Sequence, residues 1–145
     1  MMLHAKLDQK MIIDTYTSTA KIYDLWAALT ETKARNKAIQ FASPQGSESI
    51  LEVAVGTGLT FEALVKHNLE GKNYGVDLTP AMLEKAKKRM IKGKYKNYEL
   101  TIGNAEKLNF ADKSFDLVVN NYMFDLLPEE NFIKVLTEFK LILKP

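Results

Sequence analysis

Apolar residues along this chain change their spacing several times, and each change marks a new element. Residues 12–40 show no alternation, while Ile22, Trp26 and Leu29 share a helical stripe with Tyr16, Ala20, Tyr23 and Asp24 close by, which predicts helix. Ser43-Pro44-Gln45-Gly46-Ser47 reads as a loop. Ile50, Leu51, Val53 and Val55 then form a run typical of a strand buried on both faces, and the run stops at Gly56-Thr57-Gly58. Helical spacing returns at Leu59, Phe61, Leu64 and Val65, within a segment ending at Asn68. A second short strand is expected from Tyr74 to Leu78, with Asp77 at its end. Thr79-Pro80 starts a helix, as N-cap and first-turn proline, and Gly93 is its expected stop. Further strands are predicted near Tyr98–Gly103 and over Phe115–Asn120. Pro128 opens a last helix, with Glu129 and Glu130 in its first turn and Phe132, Val135, Leu136, Phe139 and Ile142 on one stripe.

Strands alternating with helices imply parallel βαβ units, right-handed crossovers and helices on both faces of one sheet, so the expected class is α/β. Composition agrees. A chain of 145 residues, 46% hydrophobic and 26% charged, is one globular domain with a real core. No apolar run approaches a membrane span, and Met1-Met2-Leu3-His4-Ala5-Lys6 lacks the apolar centre of a signal peptide, so a soluble cytoplasmic protein is expected. The formal charge of +2 is too small to require a polyanionic partner. The basic residues of Lys85–Lys96 read as the solvated face of a helix whose Leu83, Ala86 and Met90 turn inward. With no cysteine there are no disulfides, thiolate metal sites or cysteine nucleophile, and His4 and His67 are too few for a zinc site; no metal is expected.

Candidate chemistry concentrates at the first strand's end. Glycine lets backbone take unusual conformations and lie directly against a ligand, and a helix opening there offers free N–H groups to a carboxylate or phosphate. Asp77, about twenty residues further on at the end of the second strand, stands where an acid accepts both hydroxyls of a ribose. These parts describe an adenosine site. A nicotinamide or flavin site would want a third glycine where this chain has Phe61, and here there is instead an acid, Glu52, inside the strand.

Glu-x-x-x-Gly-x-Gly over 52–58 resembles motif I of the class I S-adenosylmethionine-dependent methyltransferases. The resemblance continues through Tyr-Gly-Val-Asp-Leu-Thr-Pro-Ala-Met-Leu at 74–83, Gly-Asn-Ala-Glu-Lys-Leu at 103–108, Phe-Asp-Leu-Val-Val at 115–119 and Leu-Lys-Pro at 143–145. Tyr16-x-x-x-Ala20-x-x-Tyr23-Asp24 is similar to the lid segment of the quinone-biosynthesis branch, which closes over the cofactor there; packing of these aromatics against the sheet is the other reading. The resemblance implies a Rossmann-like, doubly wound, mostly parallel sheet, with residues 1–45 as helical lid or extension and 46–145 as the cofactor-binding domain. Members of the class have seven strands in the order 3-2-1-4-5-7-6, of which this chain supplies about four. Strand four would then be an exposed edge, so a fragment of a longer protein or a homodimer covering Phe115–Asn120 is expected.

The site follows from the same resemblance. Glu52, Ala54, Gly56, Thr57 and Gly58 would hold the methionine end of S-adenosylmethionine, with Tyr16 in the lid. Asp77 would take the ribose, Leu78 the adenine face, and Asn104 with Ala105 the adenine edge, while Asn120 and Asn121 face the methionine moiety. Tyr122 and Asp125 are candidates for contact with the acceptor, Asp125 as a base. Plainer roles stand beside these: Asp77 as a helix cap, Asn104 as a turn residue, Asp125 as surface. Asn-Asn-Tyr-Met at 120–123 is not the Asn-Pro-Pro-Tyr type used on the amines of bases, so no nucleic-acid acceptor is expected. The implied function is methyl transfer to a small-molecule acceptor; the alternative is a cofactor-binding module without activity of its own.

Overall fold

The structure, a computed structural model, describes residues 32–145 together with residues 10, 11, 13–15, 17 and 18. The expectations attached to Tyr16, Tyr23 and Trp26 lie outside the described residues. Helix α1 (Thr32–Ala42) leads into strand β1 (Ser49–Val53), followed by α2 (Leu59–His67), β2 (Lys72–Asp77), α3 (Pro80–Lys92), β3 (Tyr98–Ile102), β4 (Leu117–Asn120) and α4 (Phe132–Ile142). Two short 3-10 turns, Phe124–Leu126 and Glu129–Asn131, stand between β4 and α4. The sheet is parallel, as the strand–helix alternation predicts, and its order β3-β2-β1-β4 is the 3-2-1-4 part of the order that the resemblance implies.

β1 and β2 are the two interior strands, and the apolar run of β1 is covered on both sides. Ile50 packs with Ile39 of α1 and Leu64 of α2, whereas Leu51 and Val53 pack with Val135 and Ile142 of α4. Val55, Phe61, Val65, Ala86 and Met90 form a further cluster that fastens α2 to α3. Phe61 is fully buried, and Gly75 of β2 makes the space for it: a Cβ there would stand 2.7 Å from Val55 Cγ2 and 3.2 Å from Phe61 Cε2. The close helix–strand approach that a third loop glycine would give is thus supplied from the neighbouring strand.

The starts of β4 and of α4 differ from the expectation, each for a local reason. Strand pairing begins at Leu117 and not Phe115, because the N–H groups of Ser114 and Phe115 donate to the carbonyl of Ile142 at 2.8 and 3.0 Å. The last helix starts at Phe132, since Glu129–Asn131 take up a 3-10 turn after an extended Pro128. Its stripe is also narrower: Val135 and Ile142 are buried, but Leu136 is half exposed. Among the described residues β3 and β4 are the sheet edges, and none of the helices is long and apolar enough to cross a membrane.

Candidate cofactor site

At the carboxyl end of β1 the chain turns sharply. Ala54 has φ 63°, and its N–H and that of Val55 both donate to the carbonyl of Val76, at 2.8 and 3.2 Å. Gly56 and Gly58 follow with φ 57° and 85°. Such conformations are costly for a residue with a Cβ, by roughly 1–2 kcal/mol, so Ala54 stores strain where glycine would not. Gly58 is required twice over: a Cβ on it would lie 2.9 Å from the Cα of Ala86, so α3 packs directly beneath the turn.

Asp77, at the end of β2, faces this turn. Its Oδ2 accepts the N–H of Gly56 at 2.7 Å and its Oδ1 accepts the N–H of Thr79 at 2.8 Å. Burial pushes the carboxyl of Asp77 up, against the opposing pull of the backbone N–H groups of Thr79 and Gly56. A carboxylate oxygen can accept more than one hydrogen bond, so both oxygens keep capacity toward the cavity that Asp77 lines.

Glu52 is the anomaly of β1, a carboxyl only 2% exposed within an apolar strand. Its Oε2 has no hydrogen-bond partner, and the side chain lines the same cavity. Burial holds the Glu52 proton well above the usual carboxyl range, and the charge of Asp77 adds to the effect. Asn121, just beyond β4, brings a buried Nδ2 that also lacks a partner, and it too lines the cavity. Buried polar groups are normally paired, so two orphans in one cavity, an acceptor and a donor, mark a place for a ligand that carries their complements.

The remaining sequence-predicted residues divide. Ala54, Gly56, Thr57, Leu78, Asn104, Ala105 and Tyr122 line the cavity. Asn104 also closes a local turn, its Oδ1 accepting the N–H of Glu106 at 2.9 Å. Gly58 stands behind the lining as the residue that lets α3 approach. Asn120 is outside the lining; its Nδ2 donates to the carbonyl of Val53 at 2.8 Å and ties the end of β4 to β1. Asp125 lies exposed in the first 3-10 turn, also outside the lining. Tyr122 is 49% exposed with φ 58°, a conformation unfavourable for a bulky residue and typical of functional positions.

The apolar walls were not singled out from sequence. Leu59, Met82, Met123, Leu126 and Leu127 complete the cavity. Met82 carried a readable signal, since it precedes Ala86 by one helical turn on the inward face of α3. Two carboxyls, an amide donor, a backbone turn and apolar walls suit a ligand with a cationic end, a hydroxylated centre and a flat apolar ring.

Residues 50–145 match the family described as a methyltransferase domain. The chain is 31% identical over 145 residues to the demethylmenaquinone methyltransferase of Lactococcus lactis, covering 97% of this chain and 57% of that one. It is 27% identical over 122 residues to the aklanonic acid methyltransferase DauC of a Streptomyces species, covering 83% of this chain and 56% of that one. A solved S-adenosylmethionine-dependent methyltransferase from Aquifex aeolicus superposes with a TM-score of 0.76 at 25% identity, covering 89% of this chain and 68% of that one. The chain therefore spans about half the length of these two curated relatives.

Proposed function

Because this chain belongs to the methyltransferase domain family, in its class I S-adenosylmethionine-dependent form, we propose that residues 46–145 bind S-adenosylmethionine and transfer its methyl group to a small-molecule acceptor. The single observation that carries the reading is the pair of buried unpartnered atoms, Glu52 Oε2 and Asn121 Nδ2, on one cavity. They complement the α-ammonium and α-carboxylate of a methionine moiety. Asp77 complements the ribose hydroxyls, and Leu78 and Ala105 supply apolar surface for adenine, with Asn104 at its edge.

When bound, this cofactor supplies a methyl group already activated for displacement by the positive charge of its sulfonium. The chain's own residues bind, orient and exclude water. Asp77, and Glu52 once a cationic ligand draws off its proton, place negative charge against that ligand and so favour it. Met123, Leu126 and Leu127 screen it from solvent on the side of β4. Orientation of the two reactants can account for roughly 7–11 kcal/mol of barrier, so no dedicated acid or base is demanded. The half exposure of Tyr122 on the cavity lining supports it as the residue that would meet the acceptor. A small-molecule acceptor is supported by the relatives named for demethylmenaquinone and aklanonic acid.

The test is isothermal titration with S-adenosylmethionine and with its demethylated product, using Asp77→Ala as control. Micromolar binding that the variant loses supports the reading. Absence of binding by the folded protein overturns it.

A further inference from the structure

The side of the turn away from the cavity is held by a residue that the cofactor reading leaves without a role. Arg89, on α3 one turn beyond Ala86, donates its Nε–H to the carbonyl of Thr57 at 3.1 Å. Its Nη1 lies 3.6 Å from Oε2 of Glu62 in the first turn of α2. The guanidinium therefore joins the turn to both helices that flank it.

The geometry at Thr57 makes this more than a helix–helix tie. The carbonyl of Thr57 and the N–H of Gly58 belong to one rigid peptide plane. Its oxygen is held by Arg89, and its N–H donates to the carbonyl of Val55 at 3.1 Å. Gly58, with no Cβ, offers little intrinsic resistance to rotation of that plane. Thr57 is only 3% exposed, so without Arg89 its carbonyl must turn to find another donor. Glu62, by contrast, has other company: Lys66 Nζ lies 3.2 Å from it and Tyr95 donates at 3.5 Å.

We propose that Arg89 is the positioning residue of the Gly56–Gly58 turn, fixing from behind the peptide plane that presents the loop to the cavity. It touches no ligand itself. The inference rests on the cofactor reading only for its consequence in binding; the loop geometry stands without it.

Hydrogen exchange at the Gly58 amide of the ligand-free protein tests the proposal, on the native chain, Arg89→Ala and Glu62→Gln. Arg89→Ala is expected to speed exchange at Gly58 about tenfold, equivalent to roughly 1.4 kcal/mol, while amides of β2 stay as they were. Glu62→Gln, which loosens the helix pair but leaves the Thr57 contact, is expected to leave Gly58 near the native rate. An unchanged Gly58 in Arg89→Ala, or an equal effect from Glu62→Gln, overturns the proposal and leaves Arg89 as an ordinary helix tie. Titration with S-adenosylmethionine and its product should show both weakened by a similar factor in Arg89→Ala, since the turn serves the part they share. Should the native protein bind neither, the cofactor reading fails, and the exchange rates still decide the role of Arg89.

Discussion

Asp77 and Gly56 are joined by a 2.7 Å hydrogen bond from the glycine N–H to Oδ2, so the acid expected at the ribose also braces the turn at the end of the preceding strand. Its other oxygen receives the N–H of Thr79 at the start of α3. Two readings of Asp77 from sequence, ligand contact and cap, are compatible because a carboxylate has acceptor capacity for both. Asp77→Asn keeps the size but puts an amide donor where one of two backbone N–H groups now points. Hydrogen bonds to a charged group contribute about 1.5–3 kcal/mol, so binding of S-adenosylmethionine should weaken by about ten- to a hundredfold. Titration of the variant, with circular dichroism to show it folded, checks this; native-like affinity would remove Asp77 from the site.

The turn gives a pair of substitutions with opposite signs. Gly58→Ala places a Cβ at φ 85° and 2.9 Å from backbone of α3. The left-handed conformation alone costs about 1–2 kcal/mol, before any clash, so the melting temperature should fall by several degrees and cofactor binding should be lost. Ala54→Gly relieves the same kind of strain at φ 63°, offset partly by the greater chain entropy glycine loses, for a net gain of roughly 0.5 kcal/mol. Thermal melts of both variants compare directly. A Gly58→Ala protein as stable as the native one would contradict the packing of Ala86 under the turn.

Glu52 predicts a pH dependence whose sign is fixed by its environment. Its folded-state proton is held above the usual carboxyl range, so between the ordinary value and the raised one the folded protein binds more protons than the unfolded chain. Stability of the free protein should therefore be full at low pH, with respect to this group, and decline as pH rises through the raised value; Asp77, also shifted up, acts in the same direction. Glu52→Gln removes the ionisable group and should flatten the decline, seen in melting temperatures over a pH series that starts in the ordinary carboxyl range and runs upward. A cationic ligand reverses the preference, since pairing favours the charged carboxylate. Binding of S-adenosylmethionine should release protons, measured as a heat that varies with the ionisation enthalpy of the buffer. A buffer-independent heat would mean that Glu52 does not meet the ammonium.

How much of this was visible in the sequence depends on whether a residue breaks its own local pattern. Glu52 stands out because an acid inside Ile50–Val55 violates the run around it, and Gly56-Thr57-Gly58 because glycines interrupt an apolar strand. Where neighbours decide, the sequence is silent. Phe115 fits β4 by composition, yet its backbone is claimed by Ile142 and Leu143 from the far end of the chain. Asp125 sits near the right segment but is carried to the surface by a 3-10 turn that no spacing rule announces. The positive φ of Tyr122 has no sequence signature at all, and Arg89 reads as one more cation in a basic run until α3 is seen beneath the turn.

Asn120 and Asn121 carry the last prediction, because two identical neighbours at a strand end are assigned unlike roles by the side each faces. Asn120 satisfies the carbonyl of Val53, whereas Asn121 leaves its Nδ2 buried without a partner. Removing a partner from a buried acceptor costs about 1–3 kcal/mol, so Asn120→Ala should lower the stability of the ligand-free protein by that order. Asn121→Ala removes an unsatisfied donor and should leave stability unchanged or slightly raised. Toward S-adenosylmethionine the order inverts: Asn121→Ala loses a hydrogen bond to a carboxylate and should weaken binding by roughly tenfold or more, with Asn120→Ala close to native once folded. Denaturant unfolding and titration of the two variants measure both quantities independently. Equal effects of the two substitutions on binding would show that the cavity does not distinguish them and would remove Asn121 from the methionine end of the site.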